Sequence, residues 1–335
     1  MTPKADVHQL KTGEADGHGH DLARPPITRL DLDQVLSFRA NLSAIERRAA
    51  TLPARRAVKK DYQAAWYLKG ISCIDLTTLS GDDSPAKVRR LCAKAKRPVR
   101  PEILEAIGWD RPLTVGAVCV YHEMLPHAVK ALEGTNIPIA AVSAGFPHGL
   151  SPLKQRLEEI RASVEAGATE IDIVISRHQV LRGDWSQLFD EIAAMRDACG
   201  DAHLKSILGT GDLATLRNVG RASMVAMQAG SDFIKTSTGK ESVNATLPVS
   251  LVMLRAIRAY HQATGHMVGY KPAGGIGQAK QVLQYLARMK DELGRRWLEP
   301  DLFRFGASSL LGDLERQLEH HATGKYSVAY RHPIS

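Results

Sequence analysis

The sequence is poor in cysteine. It has four in 335 residues, Cys73, Cys92, Cys119 and Cys199, far apart and without a CxxC pair. That excludes a disulfide framework and a zinc-thiolate knuckle, and it predicts buried thiols in a reducing compartment. Aromatic residues make up only 5%, and no aromatic-rich RNA motif or Cys/His finger is formed. No apolar run approaches the ~20 residues that cross a bilayer. The N-terminus lacks the basic-then-apolar order of a secretory signal. No GxGxxG follows the first strand-like run, and no short-period repeat suggests a solenoid. Together these absences predict a soluble cytoplasmic protein with no membrane partner.

The residues that are present have a globular balance, 44% hydrophobic and 24% charged, with a net charge of +8. The charge is uneven. Residues 39–69 carry eight bases against Glu46 and Asp61, and residues 87–111 carry eight more against Glu102, Glu105 and Asp110. A basic surface attracts polyanions, so a catalytically idle nucleic-acid-binding or scaffold protein is one reading. The other is a solvated face beside an anionic substrate, with no nucleic-acid partner, and it is preferred because no nucleic-acid motif accompanies the charge.

Residues 1–30 are rich in Gly, Asp, His and Pro without apolar periodicity, and read as a disordered tail. The GHGH at 17–20 is read as part of that tail and not as a metal site. Residues 31–65 read as an N-terminal helical extension: one or two short helices over 31–50, a break at Pro53, and a further helix over 59–69. From Trp66 a rhythm begins. Short β-branched runs at 71–76, 115–120, 137–142, 170–175, 204–208, 233–236, 267–270 and 302–305 alternate with amphipathic stretches such as 84–96, 153–166, 185–199, 213–229, 248–262 and 278–290. Eight such units over 66–321 match the ~250 residues of a (β/α)8 TIM barrel, an α/β fold. A doubly wound open sheet is the competing architecture; eight units suit closure better. Residues 322–335 read as a mobile C-terminal tail.

Barrel chemistry sits at the C-terminal ends of the strands. The polar residues near those ends are Asp75, Cys119, Asp172, Lys205, Lys235 and Lys271. A lysine buried in a barrel is costly unless paired or neutral, and three on consecutive strands are hard to explain structurally. Lys235, in SDFIKTSTGK (231–240), ends an apolar run before a polar loop. A neutral lysine there can attack a carbonyl and form a Schiff base. At an ordinary pKa of ~10.4 only about one lysine in a few thousand is neutral at pH 7. Burial and a neighbouring cation, Lys271 or Lys205, both lower that pKa. Asp172 can pair with Lys205 and move protons. Gly274 and Gly275 follow the seventh run, and Ser308 and Ser309 open a helix after the eighth. Such loops expose backbone amides to an anion, which points to a phosphorylated substrate.

Eight motifs in order carry a resemblance: IDLTTLSGDD (74–83), AVCVY (117–121), AAVSAGFPHG (140–149), ATEIDIVIS (168–176), HLKSILGTGDL (203–213), GSDFIKTSTGK (230–240), GYKPAGGI (269–276) and FRFGASSLL (303–311). On these the chain resembles the 2-deoxyribose-5-phosphate aldolase family, class I Schiff-base lyases with a TIM barrel, and specifically its longer subgroup. The resemblance implies reversible cleavage of 2-deoxy-D-ribose 5-phosphate to acetaldehyde and D-glyceraldehyde 3-phosphate in deoxyribonucleotide catabolism, with no metal or other cofactor. By position it implies Lys235 as the Schiff-base lysine, Lys271 as the cation that lowers its pKa, and Asp172 with Lys205 as the proton relay. Asp75 and Thr77 would contact substrate or an ordered water, and Cys119 would be a pocket wall. Thr238, Gly239, Lys240, Gly274, Gly275, Ser308 and Ser309 would hold the phosphate. Tyr330 matches a C-terminal tyrosine that assists proton transfer. Many members carry arginine at the position of Gly277, so this chain has one cation fewer near that loop. A homodimer is the ordinary expectation for assembly.

Overall fold

The computed structural model describes residues 22–333. Its framework is eight short strands: β1 Ile74–Thr77, β2 Ala117–Tyr121, β3 Ile139–Val142, β4 Glu170–Val174, β5 His203–Ile207, β6 Phe233–Lys235, β7 Gly269–Lys271 and β8 Phe305–Ala307. Runs such as IAAV and EIDIV are buried along their whole length. Helices cover the outer face of a parallel sheet, so its strands need not alternate apolar with polar. Each strand pairs in parallel with its sequence neighbour, and β1 pairs with β8. The ring closes between β7 and β8. There Tyr270 N donates to Leu302 O (2.9 Å), Arg304 N to Tyr270 O (3.1 Å) and Gly306 N to Pro272 O (2.9 Å). The architecture is therefore the closed (β/α)8 barrel and not the open sheet.

Two strands start furthest from their predicted places: residues 71 and 72 of the run at 71–76 end the helix Lys60–Ser72, so β1 begins at Ile74, and β8 is displaced as well. The run at 302–305 predicts β8, whereas the regular ladder covers Phe305–Ala307. Leu302–Arg304 are used to close on β7, and pairing with β1 begins only at Ile74↔Phe305. Pro53 also departs from expectation. It does not break its segment but sits in the last turn of the helix Leu42–Arg55. At that place proline removes only one hydrogen bond, and the turn still closes with Arg56 N donating to Leu52 O at 3.0 Å.

The N-terminal helices are Leu32–Ser37, Leu42–Arg55 and Lys60–Ser72. Asp31 and Asn41 cap the first two by accepting from Gln34 N and Ala44 N, which satisfies amides a helix start leaves open. The three pack in turn against the barrel helices Leu216–Gln228, Leu247–Thr264, Ala279–Leu293 and Leu310–Thr323. A side chain at Gly220 would meet the Phe38 ring at 2.0 Å, so glycine there lets the extension dock. Residues 22–25 lie beside His203, Asp232, Phe233 and Leu302, at the end of the barrel opposite the strand C-termini. Thr28 is tied to Gln228 O by its amide (2.9 Å) and its hydroxyl (3.1 Å). Residues 22–30 of the predicted tail thus lie on the barrel, while the GHGH at 17–20 is outside the described residues.

Part of the uneven charge along the sequence is offset in space. Arg48 pairs with Glu292, Arg56 with Asp291, Lys69 with Glu299, Lys94 with Glu315 and Arg100 with Glu319. Five of the sixteen bases in these stretches are thus paired with acids between residues 291 and 319. Among the described residues no helix is long and apolar enough to cross a membrane.

Candidate active site

The site is built from strand residues that face inward. Glu170 and Asp172 are two apart on β4 and so share a face. Lys205 lies mid-strand on β5, while Lys235 and Lys271 end β6 and β7 in register with each other. Asp75 is the second residue of β1, and Arg304 directly precedes β8. Closure of the ring brings all seven side chains together, and all are buried.

Asp172 is the hub. Its Oδ2 accepts from Lys235 Nζ at 2.7 Å and from Lys271 Nζ at 2.7 Å. The two ammonium nitrogens are thus no more than twice that distance apart. Asp172 Oδ1 is 3.5 Å from Lys205 Nζ. Asp75 joins the other side: its Oδ2 is 2.5 Å from Lys271 and 3.3 Å from Lys205, and its Oδ1 accepts from Arg304 at 2.7 Å. Glu170 accepts from Lys205 and, at 2.9 Å, from Arg304 Nη2. Lys205, predicted as the partner of Asp172, is therefore held mainly by Glu170. The reason is depth: Lys205 is paired with Phe233, two residues before Lys235, so it sits a layer below the other lysines.

The charges in this cluster do not balance. Four bases (Lys205, Lys235, Lys271, Arg304) face three acids (Asp75, Glu170, Asp172). An uncompensated buried charge is expensive, and a titratable group lowers the cost by shifting its pKa toward the neutral form. Lys235 is the lysine of this cluster shifted in that direction. Burial pushes its pKa down, Asp172 opposes that, and Lys271 adds to it, leaving the pKa below the ordinary lysine value. Lys271 goes the other way. Burial would lower it, but Asp172 and Asp75 outweigh burial and hold its pKa well above ordinary. Lys205 is also raised, because Asp75, Glu170 and Asp172 overcome its burial. Burial would raise Asp172, but Lys235, Lys271 and Lys205 hold it far below the carboxylate range, so it is a carboxylate at neutral pH. Burial pushes the Cys119 thiol up to about 11. Cys119 packs with Ala140, Val142, Tyr121 and Phe146, so it forms an apolar wall and carries no charge. His203, at the far end of β5, is kept low chiefly by burial and adds no cation.

The loops after β6, β7 and β8 meet above this cluster. A Cβ on Gly239 would lie 4.0 Å from Gly274 Cα, and one on Gly277 would lie 3.4 Å from Ser309 Oγ. Gly274 has φ +81, and a side chain there would meet Asn244 at 2.5 Å; only glycine fits. Ser308 and Ser309 are exposed at the N-terminus of the 14-residue helix Leu310–Thr323. Thr238, Gly239, Lys240, Gly274, Gly275, Ser308 and Ser309 are thus spread over three loops that converge on one rim. Thr77 ends β1, paired with Cys119, and its hydroxyl donates to Asp75 O at 2.7 Å.

Tyr330 is not brought to the cluster. It is 83% exposed. The segment carrying it is anchored to the helix Leu310–Thr323 by His332, which lies 3.1 Å from Glu315 and 2.8 Å from Glu319. Glu170 and Arg304 were missed by the sequence reading. The signal for Glu170 was its spacing of two from Asp172, and for Arg304 the alternation in FRF, which sets the arginine on the face opposite both phenylalanines.

The chain is similar to known proteins. The profile of the family described as DeoC/LacD family aldolase matches residues 70–315. A human protein named deoxyribose-phosphate aldolase is 57% identical over 311 residues, covering 92% of this chain and 98% of its own. A Bos taurus protein of the same name is 56% identical over the same shares. Among solved structures, a putative deoxyribose-phosphate aldolase from Toxoplasma gondii superposes with a TM-score of 0.67 at 20% identity, covering 78% of this chain and 97% of that one; at that identity the likeness speaks for the fold.

Proposed function

The chain belongs to the DeoC/LacD family of aldolases, and from that premise we propose that it cleaves 2-deoxy-D-ribose 5-phosphate reversibly to acetaldehyde and D-glyceraldehyde 3-phosphate through a Schiff base on Lys235. The observation that carries the reading is the surplus base. Of four buried cations facing three acids, the one pushed toward neutrality is Lys235, at the mouth of the barrel. A neutral amine is what attack on an aldehyde requires.

In the cleavage direction Lys235 Nζ adds to the C1 carbonyl of the open-chain sugar, and loss of water gives a protonated imine. A base removes the C3 hydroxyl proton, the C2–C3 bond breaks, and its electron pair moves into the enamine, with the imine nitrogen as sink. Asp172, ionised and in contact with both lysines, is that base, directly or through one water. Glyceraldehyde 3-phosphate leaves, the enamine takes a proton at C2, and hydrolysis frees acetaldehyde and Lys235. Lys271 keeps Lys235 neutral. Lys205 acts from below to hold Asp172 charged. Asp75 fixes Lys271, Thr77 lines the rim, and Cys119 keeps that side of the pocket dry. The glycine and serine loops hold the phosphate. A nucleic-acid-binding or scaffold role has no support among the named relatives. This reading puts the chain in deoxyribonucleotide catabolism in the cytoplasm, with phosphorylated sugar and aldehydes as its partners and a homodimer as its assembly.

The test is borohydride reduction in the presence of acetaldehyde, followed by peptide mass spectrometry. An ethylated Lys235 is expected; modification at another lysine, or none, overturns the assignment. The phosphate loops have a separate test. Ser308→Asp puts a negative charge where the phosphate is anchored. KM for 2-deoxyribose 5-phosphate should rise on the order of a hundredfold, as expected when an anion's site gains a like charge, while kcat/KM for unphosphorylated 2-deoxyribose changes much less. Equal losses on both sugars would remove the phosphate from that rim.

A further inference from the structure

Glu241 lies directly after the TSTGK loop, and nothing in the reading above uses it. Its carboxylate is folded back onto that loop. The Thr238 amide donates to both of its oxygens, at 3.1 and 3.0 Å, and the Gly239 amide donates at 3.2 Å. Thr238 Oγ1 donates to it at 2.7 Å. Two successive amides converging on one anion, the second from a glycine at φ +86, form the kind of backbone nest that also binds phosphate. Carboxylate and phosphate offer the same anionic oxygens to such donors.

Two further observations set Glu241 apart from an ordinary loop brace. Among the described residues it makes no ion pair, so these loop donors are what balance its charge. Lys240, its neighbour, instead donates to Leu79 O at 3.1 Å. Glu241 is also only partly buried, so its side chain can turn into solvent without leaving a hole in the core. Its backbone stays in place, because Asn244 Nδ2 donates to Glu241 O at 2.9 Å.

We propose that Glu241 is an internal competitor for the phosphate subsite and sets how strongly the enzyme prefers phosphorylated sugars. This rests on the aldolase reading above. To seat a phosphate on the Thr238 and Gly239 amides, the carboxylate must first leave them, and once displaced it remains close enough to repel the doubly charged group. The hold on phosphorylated substrate is thereby weakened, and so is the hold on glyceraldehyde 3-phosphate, which carries the same group away as product.

The measurement is calorimetric titration of inorganic phosphate into the full-length wild type, Glu241→Gln and Glu241→Ala. Gln keeps the length and one acceptor but loses the charge; Ala removes the competitor. Phosphate should bind about tenfold tighter to Gln, the scale of one charge-assisted contact, and at least as tightly to Ala. The ratio of kcat/KM for 2-deoxyribose 5-phosphate over 2-deoxyribose should rise by a similar factor. If Ala melts at a lower temperature because the loop has lost its brace, Gln decides. Unchanged or weaker phosphate binding in Gln overturns the proposal and leaves Glu241 a structural brace. Borohydride trapping of the wild type with 2-deoxyribose 5-phosphate runs alongside. No adduct there sinks the aldolase reading itself, whereas a normal adduct with unchanged phosphate affinity sinks only the competitor.

Discussion

Replacing Lys235 by methionine is expected to abolish turnover while leaving the barrel as stable as before, or more so. Loss of a covalent nucleophile costs on the order of 10⁴-fold or more in kcat. No other lysine should stand in: Lys271 is clamped between Asp172 and Asp75, and Lys205 between Glu170 and Asp75. Both are held charged. The stability half of the prediction follows from the charge count. Removing one member of a balanced buried pair is strongly destabilising, about 3–5 kcal/mol. Lys235 is different, because it is the fourth base against three acids, and its removal leaves Lys205, Lys271 and Arg304 to match Asp75, Glu170 and Asp172. Methionine keeps the volume, so no cavity is opened. Tm by calorimetry and trapping with acetaldehyde together decide the matter. A variant that still forms the adduct is not missing its nucleophile, and a fall in Tm of ten degrees or more would mean that Lys235 is a structural cation.

The parts of this arrangement that could be read from sequence are those where one residue contradicts its surroundings. Lysines and acids inside or directly after β-branched runs stand out because such runs are buried on both faces, so Asp172, Lys205, Lys235 and Lys271 were visible at once. The barrel was visible for the same reason, since eight separate apolar runs need eight strands. Glu170 was hidden because it opens its run, where a charge is ordinary, and Arg304 because a lone arginine between two phenylalanines does not show what it pairs with. Only ring closure carries Arg304 to Glu170 and Asp75, and no local pattern encodes a contact between β8 and β4. The depth of Lys205 is hidden on similar grounds, although its predicted pairing with Asp172 is present at 3.5 Å. All three lysines look alike along the chain, and strand stagger alone sets Lys205 a layer deeper. Glu241 escaped notice because its bond to Thr238 depends on the loop turning at Gly239, and the sequence shows only that the turn is permitted.

Lys271→Met makes the same chemical change on the adjacent strand and should give a different result. Three acids then face Lys205, Arg304 and Lys235, so Lys235 is no longer surplus. It becomes the third cation the cluster needs. Two causes act in the same direction: the repulsion from a neighbouring ammonium is gone, and Asp172 Oδ2, formerly shared between two lysines at 2.7 Å each, now has Lys235 alone. Both favour the protonated amine, so the pKa of Lys235 rises toward or beyond its ordinary value. The sign for activity follows. The reactive species is the neutral amine, so the acidic limb of the pH profile of kcat/KM moves to higher pH. On that limb each unit of displacement removes about nine-tenths of the neutral amine at a given pH. Activity at neutral pH should therefore fall on the order of a hundredfold, the usual scale for losing one oriented charge from an active site. The variant differs from a merely damaged enzyme in one respect: raising the pH should restore much of the loss, both in turnover and in the rate of acetaldehyde trapping on Lys235. Damage to the fold would not be repaired by alkali. If the limb stays where it is in the wild type, or if alkaline pH brings nothing back, Lys271 does not control the protonation of Lys235, and the charge count is not what makes that lysine reactive.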